Sequence, residues 1–126
     1  MIGEIVFQRL STFPGTVALV DDRIYPLALP QEPILPAITY QEQSDESSEG
    51  AGQIIRKRLR IFCWALTYGE AKAVGQAVLQ GLRGYKRDDT VPQLAGMDDD
   101  NRSDVYVPER GFFGDMLEMS AWVVEI

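Results

Sequence analysis

Apolar residues recur at helical spacing in two stretches of the chain. The first stripe consists of Ile2, Val6, Phe7 and Leu10, and the second of Ala71, Val74, Val78 and Leu82. The first stripe predicts a short helix over residues 2–11 that ends at the turn sequence Phe13-Pro14-Gly15. The second predicts a helix over residues 68–83, because Thr67 and Glu70 form a capping box before it and Gly84 follows it. The pattern does not decide the type of the short apolar piece at residues 17–20.

Two other stretches, residues 53–66 and 112–125, alternate at the period of a β-strand. One face of these strands is apolar or small and is expected to face the core: Leu59, Ile61, Cys63 and Ala65 on one strand, and Phe113, Leu117, Met119, Ala121 and Val123 on the other. Their opposite faces mix charge with large apolar groups: Arg56, Arg58, Arg60, Phe62, Trp64 and Leu66, and Met116, Glu118, Ser120, Trp122 and Val124. On this parity Cys63 is a buried structural residue rather than a reactive thiol.

Shorter signals complete the chain. Residues 37–43 are rich in β-formers and predict a strand, and the small, acidic residues 44–52 predict a mobile hairpin tip. A further strand is expected from Val91 to Met97, interrupted by a polar turn at residues 98–104 and resumed at residues 105–107. The order predicts an α+β fold with a four-stranded antiparallel or mixed sheet and two helices packed on one face. At 126 residues, the chain is expected to form one domain spanning residues 1–126.

The segment between the first helix and the first strand contains four prolines in the eleven positions from Pro26 to Pro36. Proline fixes φ and removes a backbone donor, so this segment forms neither a helix nor a central strand. The residues between the prolines are mostly apolar, which makes exposure to water costly. We expect a stiff, extended arm that lies along a surface of its own domain or of a neighbouring subunit.

Composition excludes several classes of function. The net charge of −7 argues against binding of a phosphate backbone, and a single cysteine excludes an internal disulfide framework. The chain contains no histidine, which excludes histidine-based catalytic triads and histidine-ligated metals. The acidic residues from Asp98 onwards match a calcium loop only at its ends, since Ser103 stands where glycine belongs. We therefore expect no catalytic residues, no metal site and no cofactor.

Neither a membrane helix nor a secretion signal is apparent, which indicates a soluble cytoplasmic protein.

The mixed faces of the two long strands are the best candidates for a functional surface. They contain Arg58, Arg60, Phe62, Trp64, Glu118, Trp122 and Val124, which we predict to form a protein–protein interface. If the strands are neighbours, an Arg–Glu cross-strand pair and an aromatic pair can form. The alternative is a purely structural face, half covered by the arm and the loops.

The arm and the second helix also carry a resemblance to a known family. The succession Arg23-Ile24-Tyr25-Pro26, Leu29-Pro30-Gln31, Leu35-Pro36, Tyr40-Gln41 and Ser44-Asp45 resembles the tail completion, or tail terminator, proteins of long-tailed bacteriophages. An arginine-rich strand, a helix running from Thr67-Tyr68-Gly69-Glu70-Ala71 to Leu82-Arg83-Gly84, a turn near Tyr106 and an apolar C-terminal strand complete the similarity. It extends from about residue 17 to the end of the chain.

The resemblance implies a structural virion assembly protein, of a phage or prophage, and not an enzyme. Such a protein stops growth of the tail tube and joins the tail to the head as an oligomeric ring, commonly a hexamer. The implied partners are further copies of the chain, the tail tube protein and the head connector protein, with no membrane or nucleic acid. The implied location is the host cytoplasm and then the tail–head junction of the virion. The alternatives are a cytoplasmic small-ligand-binding or regulatory α+β domain unrelated to phages and, less favoured, an enzyme using carboxylates and arginines.

Overall fold

A mixed β-sheet with helices against one face organises the computed structural model, which describes residues 2–43, 48–49, 54–90 and 93–124. The helices are α1 (Ile2–Thr12), α2 (Pro14–Val20) and α3 (Tyr68–Leu82). The strands are β1 (Ile24–Pro26), β2 (Ala37–Gln43), β3 (Ser48–Glu49), β4 (Ile54–Ala65), β5 (Gln93–Val107) and β6 (Phe112–Val124).

The sheet has the strand order β1-β2-β4-β6-β5, and the two-residue β3 pairs with β4 beside β2. Only β1 and β2 run parallel among the described pairs; the others are antiparallel. The predicted α+β class and mixed sheet are confirmed, but the predicted numbers of four strands and two helices are wrong. The proline arm supplies the additional strand β1 at the sheet edge, where missing proline donors cost no ladder hydrogen bond. The undecided piece at residues 17–20 supplies the additional helix, α2.

The core lies between the sheet and the three helices. The predicted inward positions of β4 and β6 are buried there, except that Phe113 is only partly buried, and Ala71, Val74, Val78 and Leu82 of α3 are buried too. Thr67 caps α3 as predicted, since its hydroxyl oxygen accepts a hydrogen bond of 3.2 Å from the amide of Glu70. In α1, Ile2, Val6 and Leu10 are buried as expected, whereas Phe7 is 38% exposed and Ile5 is buried instead.

Two predicted turns are organised differently. Pro14 follows the end of α1 but also begins α2, because proline is well suited to the first turn of a helix. The prediction of a polar turn at residues 98–104 is wrong. These residues continue β5 as a single strand that pairs with β6. The register shifts once between Leu94 and Gly96 and again, within the polar run, between Asp99 and Asn101. Pairing with a long neighbouring strand overrides the weak β-propensity of Asp and Asn here.

The remaining predictions concern the hairpin tip and the membrane. Most of the tip predicted at residues 44–52 lies outside the described residues, while Ser48 and Glu49 pair with Ile55 and Ile54 of β4. No helix in the described part of the chain is long and apolar enough to cross a membrane.

Candidate interface on the open face of the sheet

The face of the sheet opposite the helices, here called the open face, carries all seven predicted interface residues. Strands β4 and β6 are antiparallel neighbours, which is the condition for side-chain pairs to form between them on this face. Their register places Arg60 opposite Glu118 and Phe62 opposite Met116, with Trp64 opposite Gly114. The other members, Arg58, Trp122 and Val124, lie on the same face towards the far end of the two strands.

The charged part of the open face is largely neutralised. Arg60 and Glu118 form the predicted cross-strand ion pair, at 3.2 Å between Nη2 and Oε2. Arg56 pairs with Asp100 of β5, also at 3.2 Å, and its Nε donates to the hydroxyl of Ser120. Arg58 is exposed and has no ion-pair partner among the residues that the structure describes. Arg58 is therefore the residue on this face best placed to meet an acidic group of another molecule.

The aromatic part of the open face lies at the other end. The rings of Phe62 and Trp64 stack with their centroids 5.4 Å apart, and the indole Nε1 of Trp64 donates to the hydroxyl of Thr39 at 3.1 Å. The expected cross-strand aromatic pair is not present, because the register puts Gly114 opposite Trp64. A Cβ at Gly114 would lie 2.9 Å from the indole ring, so glycine leaves room for the tryptophan. Trp122 lies eight positions further along the sheet, beneath the guanidinium of Arg56.

The proline arm borders this aromatic end and lies on its own chain. Its residues Leu27–Leu29, together with Phe62, Trp64 and Phe112, line a groove of about 410 Å³. The guanidinium of Arg110, in the turn between β5 and β6, donates to the carbonyl of Gln31 at 3.2 Å. The arm thus covers part of the open face and leaves the aromatic pair at the floor of a groove.

One ionic cluster, built around a buried carboxylate on the helix side of the sheet, was not identified from the sequence. Asp115 of β6 is fully buried on the helix side, where Arg102 of β5 binds both of its carboxylate oxygens at 2.7–3.1 Å. Lys72 of α3 reaches Asp115 at 3.3 Å and Asp104 at 2.8 Å. Hydrogen bonding to Lys72 lowers the pKa of Asp104, and bonding to Asp104 raises the pKa of Lys72. The signal was available in the sequence, since Asp115 interrupts the apolar face between Phe113 and Leu117.

Neither the cluster nor Cys63 indicates catalysis. Burial raises the pKa of the Cys63 thiol well above its usual range, so the thiol stays protonated and acts as a small apolar side chain. Within the described ranges, no group of three or more Cys, Asp or Glu residues is arranged to hold a metal ion.

Comparison with known proteins connects this architecture to phage tails. Residues 4–124 match the family described as tail completion protein gp17. The chain belongs to this family. It is therefore a structural protein of a phage tail, and the alternative of a ligand-binding domain unrelated to phages no longer applies.

The fold of this chain recurs in a chain of a solved particle. A chain from the virion of a native gene transfer agent (GTA) particle superposes with a TM-score of 0.77 at 22% sequence identity. The match covers 94% of this chain and 91% of that one. At this identity the similarity shows a common fold. No curated protein matches the chain.

Proposed function

We propose that this protein caps the phage tail tube, ends its growth and provides the surface to which the head is joined. The family match over residues 4–124 is the observation that carries the proposal. In this role a single domain assembles as an oligomeric ring, commonly a hexamer, on the last ring of tube subunits. Its partners are copies of itself, the tail tube protein and the head connector protein. It is made in the host cytoplasm and becomes part of the tail–head junction.

The open face supports this proposal as a docking surface. Tryptophan, phenylalanine and arginine are enriched at protein–protein contacts, and the sheet face that no helix covers carries Arg58, Arg60, Phe62, Trp64, Glu118, Trp122 and Val124. Most of them are half-buried in the isolated chain, so a partner finds side chains already ordered by ion pairs and stacking. Such ordering lowers the entropy lost on binding.

Capping is a binding event and requires no bond to be broken. The free energy comes from apolar area buried against the tube and neighbouring subunits, at about 25 cal/mol per Å² before the costs of association. Ion pairs on the open face, such as Arg60–Glu118, contribute more to the orientation of the bound partner than to its affinity.

The test is to mix the purified protein with tail tubes assembled from tail tube subunits and to image them by electron microscopy. We expect a ring at one tube end and an arrest of tube elongation. Arg58→Glu should reduce capping several-fold, because it reverses the charge of an exposed residue on the open face. The substitution should leave folding intact, since Arg58 forms no ion pair with the residues that the structure describes.

Lys86→Glu is the matched control for Arg58→Glu. It makes the same change of charge at an exposed residue in the connection between α3 and β5. We expect it to cap tubes as well as the wild type. Tubes that keep growing with bare ends in the presence of wild-type protein would refute the proposed function.

A further inference from the structure

A groove, here called the aromatic groove, crosses the open face between the proline arm and the turn that joins β5 to β6. Residues 27–29 of the arm line it on the β2 side, and Arg110 and Phe112 line it on the β6 side. Phe62 and Trp64 of β4, the strand between β2 and β6, form its floor. Its volume of about 410 Å³ falls in the range of sites that bind a ligand. The groove is therefore large enough to receive side chains of another molecule.

The floor of the aromatic groove is apolar and already ordered. The rings of Phe62 and Trp64 are stacked at an interplanar angle of 3°, so they form a flat platform. The indole N–H donates to the hydroxyl of Thr39, which leaves the ring itself to offer apolar surface. Because the rings are fixed within this chain, a ligand that packs on them loses little additional side-chain entropy. The floor is thus suited to anchor a bulky apolar side chain.

A guanidinium with donors to spare lies at one end of the groove. Arg110 is exposed, its Cζ lies 4.7 Å from the centroid of the Phe112 ring, and its Nη2 donates to the carbonyl of Gln31. No carboxylate among the residues that the structure describes forms an ion pair with Arg110. Arginine binds a carboxylate through two parallel hydrogen bonds. This end of the groove is therefore suited to an acidic group beside the apolar anchor.

An uncharged polar side chain lines the other end. Gln41 of β2 lies opposite Arg60, and its side-chain amide forms no hydrogen bond within the described part of the chain. From Arg60 to Ala65, where β4 ends, is about 17 Å, the length of five extended residues. The amide of Gln41 both donates and accepts, so it matches the free backbone groups of an extended segment. A helix uses those groups internally and would leave Gln41 without a partner.

We propose that the aromatic groove binds an extended segment of the tail tube protein. A bulky apolar side chain of that segment packs on Phe62 and Trp64, and an adjacent Asp or Glu binds Arg110. This inference rests on the proposed function, because that function places the tube against the open face. Apolar burial supplies the affinity, and the ion pair fixes the direction of the segment. A segment with Lys or Arg in place of the acid is repelled by Arg110 and excluded.

Short overlapping synthetic peptides test the assigned partner. They tile the tail tube protein, the head connector protein and this chain, and binding of the wild-type protein to each is followed by fluorescence polarisation. We expect binding to a tail tube peptide that contains a bulky apolar residue next to an acid. Absence of a bound tail tube peptide, or a bound one without such a pair, overturns the inference. Binding only to peptides of the head connector protein or of this chain overturns the assigned partner.

Filling the groove should block the segment without disturbing the core. Ala28 is exposed and lines the groove, so Ala28→Trp places an indole in the space that the anchor occupies. Peptide binding should weaken by about tenfold or more, with the melting temperature unchanged. Ala73→Trp makes the same change at an exposed position of α3 and should bind the peptide as the wild type does. Equal binding by the two variants contradicts the groove as the site.

A double-mutant cycle tests the ion pair. Arg110→Gln removes the charge but can still donate to the carbonyl of Gln31, so the arm keeps its contact. Replacing the acid of the bound peptide by its amide should weaken wild-type binding by about fivefold and binding to Arg110→Gln by less than about twofold. Arg110→Lys should be intermediate, because it keeps the charge without the planar fork. The same loss in the wild type and in Arg110→Gln shows that Arg110 does not bind the acid.

Capping assays with the same variants separate this inference from the proposed function. Wild-type protein that caps tubes, together with Ala28→Trp protein that caps them equally well, refutes the groove contact alone. Wild-type protein that binds the tail tube peptide through the groove but leaves tubes uncapped refutes the proposed function alone. Wild-type protein that neither binds a tail tube peptide nor caps tubes refutes both.

Discussion

At the scale of single residues, Gly75 and Asp115 show how one position constrains another across the sequence. Gly75 lies in α3 and Asp115 in β6, and the carboxylate of Asp115 occupies the space that a Cβ at Gly75 would need. The carboxylate is fully buried and is held by Arg102 and Lys72. A buried charge that loses its geometry loses the interactions that offset its desolvation. The small residue on the helix is therefore required by the acid on the strand.

Gly75→Ala should consequently destabilise the protein, even though alanine favours helices. We expect a loss of about 2 kcal/mol or more in the free energy of unfolding, since the methyl group displaces a buried ion pair. Urea denaturation followed by circular dichroism measures this. Gly69→Ala, in the same helix with open space around it, is the control and should be neutral or stabilising by up to about 1 kcal/mol. Equal effects at the two glycines would contradict the assigned role of Gly75.

At the scale of elements, β5 shows how a polar strand is held in place. Its acidic residues are matched by cations on neighbouring elements, with Asp99 bound by Arg83 after α3 at 2.7 Å and Asp100 bound by Arg56 of β4 at 3.2 Å. These partners come from distant parts of the chain. The composition of residues 98–104 alone predicts a turn, and it is pairing with β6 that makes them a strand.

The ion pair between Arg83 and Asp99 makes the stability of the folded protein depend on pH. Hydrogen bonding to Arg83 lowers the pKa of Asp99 in the folded protein. A lowered carboxyl pKa adds stability above the unfolded value of about 3.9, and this part is lost as the pH falls through the folded pKa. We expect Arg83→Gln to lower the urea midpoint near neutral pH and to have less effect at about pH 3.

Lys86→Gln removes the same charge at an exposed residue and should change the urea midpoint little at either pH. An Arg83→Gln effect that is the same size at both pH values would show that the ion pair with Asp99 does not stabilise the strand.

At the scale of the whole molecule, the two faces of the sheet have different expected uses. The helix-covered face forms the core, the open face carries the predicted interface, and the arm covers part of that open face. Trp64 and Trp122 lie on the open face but differ in their support, because Trp64 stacks on Phe62 and donates to Thr39, whereas Trp122 contacts the guanidinium of Arg56.

The two tryptophans should therefore respond differently to replacement by serine. Trp122→Ser should lower the free energy of unfolding by less than about 1 kcal/mol while clearly weakening self-association and binding to tubes. Trp64→Ser should weaken both and also cost about 2 kcal/mol in stability, since it removes a half-buried ring and a hydrogen bond. Thermal unfolding of the dilute monomer and sedimentation provide the two readings. A collapse of the melting temperature in Trp122→Ser would place Trp122 in the core.

The sequence by itself determined the elements whose signals are local or periodic. The alternation of apolar and polar residues predicted β4 and β6 and assigned their side chains to the two faces. The seven predicted interface residues do lie on the same face, the open face. The capping box and the apolar stripe placed α3 within one residue of its observed end. The motifs around the arm and α3 also indicated the tail completion family.

Only the tertiary structure decided what depends on partners distant in sequence. Whether Asp98–Asp104 forms a turn or a strand depends on β6, and whether Ile24–Pro26 pairs at all depends on β2. The cluster of Lys72 and Arg102 around the buried Asp115 likewise joins one helix and two strands. The physical reason is that side-chain periodicity depends only on residues close together in the sequence. Register, edge position and ion pairing arise when separate elements pack together.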